Sequence, residues 1–141
     1  MSYKNNMKIQ FLNKSANEGF ARVAVAAFVA QLDVTVEQLA DIKTAVSEAV
    51  TNSIVHGYES LTGYITLECE IDDGVVVITV SDCGRGMSDV NLARQPLYTS
   101  RPELERSGMG FTVMETFMDT VEVNSSLGLG TTVKMTKKLQ G

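Results

Sequence analysis

The chain has 141 residues, enough for one compact domain and too few for two. It is 44% hydrophobic and 21% charged, as in ordinary globular proteins, and its net charge of −5 argues against general binding to nucleic acid or to anionic membranes. Two cysteines without metal-type spacing, and no apolar run that could span a bilayer, favour a soluble protein of the reduced cytoplasm.

The N-terminal part of the chain predicts a short strand and a very apolar helix. Lys8 to Leu12 alternates as a strand, and Ser15 to Glu18 has the spacing of a capping box that opens a helix running to about Leu32. Arg22 is the only charged residue between Ala21 and Leu32. Such a helix is either covered on a second side, by another copy of the chain or another protein, or buried deeply in the core.

A second helix begins at the capping box Thr35-Val36-Glu37-Gln38 and is expected to end at Gly57. Helical spacing places Leu39, Ile42, Val46, Val50 and Ser53 on a core-facing side, opposite a polar stripe of Asp41, Thr44, Glu48, Asn52 and His56. Glu48 and Asn52 emerge as neighbours. A carboxylate beside an amide oxygen can serve a proton and a hard cation, although for the stripe alone a solvated face is the simpler interpretation.

The rest of the chain predicts a hairpin, an irregular segment, a helix and two strands. The hairpin pairs residues 64–71 with 75–81, and the last helix ends near Met118, before strands at 121–124 and 131–137. The segment from Met87 to Ser107 lacks periodicity, which indicates either disorder or a functional lid. We therefore expect one domain over residues 1–141, an α+β two-layer sandwich whose mixed, mostly antiparallel sheet is covered on one face by helices.

Three glycine motifs carry the candidate chemistry. Asp82 leaves a strand, where it can accept a hydrogen bond from an exocyclic amine such as adenine's, while Gly84 and Gly86 let the backbone approach a flat ring. Residues 107–111 (Ser-Gly-Met-Gly-Phe) open a helix whose free N–H groups suit polyphosphate. Residues 128–131 (Gly-Leu-Gly-Thr) precede the last strand. Each motif taken singly is also explained by an ordinary turn or hinge.

The order of these motifs resembles the ATP-binding (Bergerat-type) fold of gyrase B, the 90-kilodalton heat-shock chaperones, MutL and the histidine kinases. The stretches 47–52, 54–58, 93–97 and 102–111 are similar to those of the serine-kinase anti-sigma factors, above all the anti-sigma F branch from endospore-forming bacteria. The likeness covers essentially the whole chain. A histidine kinase would need a phosphoacceptor on a separate dimerisation helix, whereas the only histidine here, His56, lies inside the helix of the site.

The resemblance implies a protein-serine kinase that uses ATP and Mg²⁺. It assigns Asp82 and Thr131 to adenine, Asn52 to Mg²⁺, and Glu48 to the catalytic base that accepts the serine proton. A lid over about residues 95–107 would close on the phosphates. The ATP-binding residues that it implies are Asn52, Asp82, Gly84, Gly86, Thr99, Ser100, Arg106, Ser107, Gly108, Met109, Gly110, Phe111 and Thr131.

The resemblance also implies partners: a sporulation sigma factor that is held inactive, an anti-anti-sigma protein that is phosphorylated on serine, and a second copy of the chain in a homodimer. Arg22 and Arg106 match positions of the partner-binding surface. Neither nucleic acid nor membrane is expected to bind directly. Two alternatives stay open, a non-catalytic binding module gated by nucleotide and a related stress-response kinase. The role of His56 is undecided, and Asp41 and Thr44 are expected to form a solvated face.

Overall fold

The computed structural model describes residues 3–57, 62–84 and 110–139. In chain order its elements are β1 (Lys4–Leu12), α1 (Ala16–Val29), α2 (Val36–Asn52), a π-helical turn (Ser53–Gly57), β2 (Tyr64–Asp72), β3 (Val75–Asp82), α3 (Gly110–Phe117), β4 (Thr120–Ser126) and β5 (Gly130–Lys138). The predicted order of helices and strands is confirmed. Within these residues, no helix combines the length and the apolar character that a membrane span requires.

The strands form one sheet in the order β1-β2-β3-β5-β4. Each of the four pairings between the described strands is antiparallel, where the sequence predicts a mixed, mostly antiparallel sheet. Helix α2 packs between α1 and α3. The predicted α+β architecture, with helices on one face of the sheet, is therefore confirmed.

Strand alternation decides which side chains face the helices. The predicted inward positions of β2 are fully buried, namely Ile65, Leu67, Cys69 and Ile71, and the same face continues through Val76, Ile78 and Val80 of β3. Because side chains in a strand alternate with a period of two, Asp82 falls on this buried face as well. The last inward position of β3 is thus a carboxylic acid at the edge of an apolar core.

Helix α2 follows its local sequence signals closely. The capping box is present, since the Gln38 N–H donates to Thr35 Oγ1 at 3.0 Å and the Thr35 N–H donates to Gln38 Oε1 at 3.2 Å. Ile42, Val46, Val50 and Ser53 are buried and Leu39 is partly buried, as predicted for the core-facing side. The α-helix ends at Asn52, where the backbone changes to the π-helical turn that reaches Gly57.

The predicted capping box of α1 is wrong. Ser15 has φ −54° and ψ −35°, a helical conformation in which its side chain makes no capping hydrogen bond, because an N-cap residue needs extended backbone angles. Glu18 instead joins α1 to α2: its Oε2 accepts a hydrogen bond from Ser47 Oγ at 3.1 Å and lies 3.4 Å from Arg22 Nη1. The helix also stops at Val29, before the predicted end near Leu32.

The many apolar residues of α1 lie on two faces of the helix, one buried and one exposed. Ala21, Val25 and Val29 are fully buried against the core, whereas Phe20 is 53% exposed and Val23 is 62% exposed. The alternative of a helix buried deeply on all sides is therefore wrong. Coverage of the outer face by a second copy or another protein stays a prediction.

The two cysteines lie in opposite environments, and this difference predicts their reactivity. Cys69 is fully buried in β2, and loss of solvation raises the pKa of its thiol to about 12, while Cys83 is exposed just after β3. The thiolate is the reactive species. We expect iodoacetamide at neutral pH to modify Cys83 in the native protein and Cys69 only after unfolding. Mass spectrometry of native and urea-unfolded samples measures this, and rapid native labelling of Cys69 would contradict the packing of β2.

Candidate functional site

Asp82 presents a buried carboxyl oxygen at the end of β3. The residue is only 6% exposed, and its Oδ1 accepts a hydrogen bond from the Gly84 N–H at 2.9 Å. Its Oδ2 is buried and makes no hydrogen bond within the part of the chain that the structure describes. A buried acceptor without a donor costs free energy, so the atom fits a donor brought by a ligand. The exocyclic amine of adenine is such a donor.

The surroundings of Asp82 act on its protonation in opposite directions. Burial raises the pKa of the carboxyl group above its ordinary value, while the Gly84 N–H, the Ser53 hydroxyl and the Thr131 N–H act to lower it, although none of these three donors is hydrogen-bonded to Oδ2. The effect of burial is the largest of these. Burial therefore makes ionisation of this carboxyl group less favourable than for an exposed Asp, and a donor that reached Oδ2 would stabilise the carboxylate.

Thr131 lies directly opposite Asp82 in the pairing of β3 with β5. Its hydroxyl is 2.7 Å from Ser125 Oγ, and that hydroxyl in turn donates to the carbonyl oxygen of Gly130 at 3.1 Å. Either hydroxyl can be the donor in this pair, and in both cases the Thr131 oxygen keeps a lone pair that can accept. That lone pair is available as an acceptor beside the carboxylate, as the prediction for adenine requires.

Gly130 makes the close approach of β5 to the end of β3 possible. Its φ is +106°, and a Cβ atom built on it would lie 2.1 Å from the Asp82 carbonyl oxygen and 2.8 Å from Cys83 Cα. The Gly-rich hairpin turn that the sequence predicts is present between β4 and β5, and Gly130 in addition packs closely against the end of β3. Gly128 in the same turn has φ +82° and open space around it, so only its backbone conformation favours glycine.

Helix α2 ends beside Asp82, with Asn52 as its last residue and Glu48 one turn earlier. Asn52 is buried although it belongs to the polar stripe, and Glu48 is half-buried. The following residue, Ser53, is 1% exposed and opens the π-helical turn, with its hydroxyl beside the Asp82 carboxyl group. Sequence reasoning counts Ser53 only as part of the core face. The sequence does contain a signal for this contact: Ser53 places a hydroxyl among the aliphatic side chains of the core face, and a buried hydroxyl needs a polar partner.

The polar stripe does not behave as one surface. Thr44 is exposed and its hydroxyl donates to the Ala40 carbonyl oxygen, in agreement with a solvated face. The same prediction for Asp41 is wrong, because its Oδ2 lies 3.7 Å from Lys137 Nζ and its side chain is only 25% exposed. His56 belongs to the π-helical turn, but its side chain lies outside what the structure describes.

Helix α3 starts at Gly110 and packs against α2. Phe111 is 5% exposed, so its ring belongs to the core and only its backbone can face a ligand. Arg22, the predicted partner-binding residue on α1, has 42% of its side chain exposed beside Glu18. The lid predicted over residues 95–107 lies outside the described ranges. The remaining predicted site residues also lie outside them, namely Gly86, Thr99, Ser100, Arg106, Ser107, Gly108 and Met109.

A metal at this site would depend on its ligand for most of its coordination. Within the described residues, no three His, Cys, Asp or Glu side chains are grouped so that they could hold a metal ion. Mg²⁺ can bind at a site with few protein ligands, because it prefers oxygen ligands and usually binds through phosphates and water. The amide oxygen of Asn52 is a ligand of the right type.

Comparisons with known proteins agree with this geometry. Residues 12–137 match the family described as Histidine kinase-like ATPase domain. The chain is 61% identical over 137 residues to the anti-sigma F factor of Clostridium botulinum (strain Eklund 17B / Type B), with 96% of each chain covered. It is 58% identical over 135 residues to the anti-sigma F factor of Clostridium kluyveri (strain ATCC 8527), with 96% of this chain and 95% of the relative covered.

A solved structure of the RsbU and RsbW domains of Rv1364c from Mycobacterium tuberculosis has a similar fold. The TM-score is 0.70 at 21% sequence identity, over 96% of this chain and 32% of that longer one. At this identity the likeness concerns the fold alone. It supports the arrangement of one sheet with helices on one face.

Proposed function

The chain belongs to the histidine kinase-like ATPase family, and within it to the anti-sigma F factors, and from this premise we propose that it is an ATP-dependent protein-serine kinase. In this proposal it holds a sporulation sigma factor inactive and phosphorylates a serine of an anti-anti-sigma protein. The observation that carries the proposal is the buried Oδ2 of Asp82, which makes no hydrogen bond within the described residues and lies beside the helix that bears Glu48 and Asn52.

The proposal divides the nucleotide between two ends of the site. Asp82 accepts a hydrogen bond from the adenine amine, and Thr131 lies next to it as a second adenine contact. Asn52 provides an amide oxygen for Mg²⁺, and the backbone at the start of α3, from Gly110, faces the phosphates. Bound Mg²⁺-ATP supplies the phosphoryl group, and the chain supplies position and charge.

Glu48 completes the catalytic part of the proposal. It lies one helical turn before Asn52, so a serine presented near the phosphates comes within reach of its carboxylate. Glu48 accepts the serine proton as the hydroxyl oxygen attacks. A module that only binds nucleotide has no use for a base at this position.

Two surfaces serve the proposed partners. The outer face of α1 presents Phe20 and Val23 to solvent, which suits an apolar contact with a second copy of the chain. Arg22 on the same helix is held by Glu18 and keeps 42% of its side chain exposed, so it can meet an acidic group of a sigma factor or an anti-anti-sigma protein.

The test of the proposed function is incubation of the purified chain with Mg²⁺, radiolabelled ATP and an anti-anti-sigma protein. We expect phosphoserine on that protein, identified by mass spectrometry, and none when its acceptor serine is replaced by alanine. Nucleotide binding without transfer would instead support the non-catalytic module, and absence of nucleotide binding would refute both functions.

Asp82→Asn is expected to weaken nucleotide binding while it stabilises the ligand-free protein. With Gly84 still bound to Oδ1, the amide places a donor where the adenine amine needs an acceptor, so the Kd for ATP should rise about tenfold to a hundredfold. Calorimetric titration measures this affinity. Asp73→Asn, the same change in an exposed turn at φ 54°, is the matched control and should bind ATP normally.

The gain in stability from Asp82→Asn should depend on pH. Because burial raises the folded pKa of Asp82, the unfolded chain ionises first, and the wild-type protein loses stability as the pH rises through the folded pKa. The substitution removes that loss. Urea unfolding should therefore show the variant to be more stable than wild type at neutral pH, with the difference disappearing below the ordinary carboxyl pKa of 3.8. An equal difference at all pH values would contradict the role of ionisation.

A further inference from the structure

One lysine joins the two helices of the site to the sheet. Lys137 on β5 donates a hydrogen bond from Nζ to the carbonyl oxygen of Phe117, the last residue of α3, at 2.7 Å. The same nitrogen lies 3.7 Å from Oδ2 of Asp41, in the first half of α2. A single ammonium group thus contacts α2 and α3 from a fixed position on the sheet.

This contact is more enclosed than an ordinary surface ion pair. The side chains of Lys137 and Asp41 are 14% and 25% exposed, whereas those of Lys4 and Asp72, an ion pair on the open face of the sheet, are 68% and 53% exposed. Solvent therefore screens the Lys137 contact less. The ammonium group also lies at the C-terminus of α3, where positive charge is favourable to the helix dipole.

The C-terminal end of α3 is held to β5 by further contacts. The Asp119 N–H donates to the Thr136 carbonyl oxygen at 2.8 Å, and Asp119 Oδ2 accepts a hydrogen bond from the Lys138 N–H at 2.6 Å. Helix α3 has eight residues, so its two ends are about 12 Å apart. The burial of Phe111 and Met114 holds this short rod against the core, and the contacts at its C-terminus restrict its direction further.

We propose that Lys137 is a positioning residue for the phosphate end of the nucleotide site. By joining α3 to α2 it keeps the Gly110 end of α3 at the separation from Asn52 that the phosphates and Mg²⁺ require. Asp41 supports this role by holding the ammonium group on the α2 side. The inference rests on the proposed function, which places the phosphates at the start of α3.

The proposal predicts that loss of Lys137 affects two ligands differently. In Lys137→Met we expect the Kd for Mg²⁺-ATP to rise about fivefold to tenfold, as for loss of one charge-assisted hydrogen bond. The Kd for adenosine, which contacts only the Asp82 and Thr131 end, should change less than about twofold. Calorimetric titration of both ligands measures the difference. Lys137→Arg, which keeps the charge and can reach both acceptors, should restore Mg²⁺-ATP affinity.

Lys134→Met is the matched control, because it removes the same charge from an exposed position of the same strand. It should bind both ligands as wild type does. Losses of equal size for ATP and adenosine in Lys137→Met, or no loss for either, would overturn the inference. If circular dichroism shows that Lys137→Met is unfolded, Asp41→Asn takes its place with the same expected split between the ligands. Wild-type protein that binds adenosine but not Mg²⁺-ATP would refute the proposed function, and the inference with it.

Discussion

Glu48→Gln should abolish most phosphotransfer while it leaves nucleotide binding intact. The substitution preserves the size of the side chain and its capacity for hydrogen bonds, but it removes the carboxylate that accepts the serine proton. General-base catalysis contributes about a hundredfold to ten-thousandfold, so the turnover number should fall by that factor. The Kd for Mg²⁺-ATP should stay within about twofold of wild type, because Asp82, Thr131 and Asn52 are unchanged.

Single-turnover assays with the anti-anti-sigma protein, combined with calorimetric titration of ATP, separate these two quantities. Glu37→Gln is a matched control on the same helix, since it removes the same charge from the exposed first turn of α2. It should transfer phosphate at the wild-type rate. An unchanged rate in Glu48→Gln would remove Glu48 from the mechanism and favour a base outside α2.

Gly130→Ala is expected to cost about 3 kcal/mol or more of the free energy of unfolding, for two reasons that add. Its φ of +106° is a conformation that residues with a Cβ atom rarely adopt, and the new Cβ would lie 2.1 Å from the Asp82 carbonyl oxygen. The atoms that the new Cβ would meet belong to the backbone, so they cannot move aside as the end of a flexible side chain could. The strands β3 and β5 must therefore separate at the point where Asp82 and Thr131 face each other.

Gly128→Ala isolates the first of these reasons. Gly128 has φ +82° but open space around it, so the substitution should cost only about 1 kcal/mol. Urea unfolding of the two variants measures both costs. ATP affinity should fall in Gly130→Ala, even where the protein is still folded, and should be unchanged in Gly128→Ala. Equal destabilisation by the two substitutions would show that backbone conformation alone decides the cost.

Local patterns in the sequence predict most of the secondary structure. The alternation from Ile65 to Ile71 identifies β2 and its buried face, and the Thr35–Gln38 capping box identifies the start of α2. Both signals depend on residues a few positions apart, so they need no knowledge of the fold. The same kind of signal fails at Ser15, where the turn after β1 keeps the residue in a helical conformation that cannot cap.

The candidate site divides in a similar way. Helical spacing is enough to show that Glu48 and Asn52 are neighbours, and strand alternation is enough to show that Asp82 follows a strand. The order of the glycine motifs determines the resemblance to an ATP-binding family, to which the chain does belong. Sequence reasoning misses the contacts of Ser53 and Lys137, because their partners are distant in the chain.

Long-range packing establishes which atoms of these residues have hydrogen-bond partners. The pairing of β3 with β5 sets Thr131 opposite Asp82, and the packing of α2 on the sheet brings Ser53 to the same carboxyl group. The same packing turns Asp41 from an expected solvated residue into the partner of Lys137. These contacts join residues that lie 29 to 96 positions apart, and strand register and helix packing, rather than local periodicity, determine such distances. For that reason the free acceptor on Asp82, on which the proposed nucleotide site depends, becomes visible only in the folded chain.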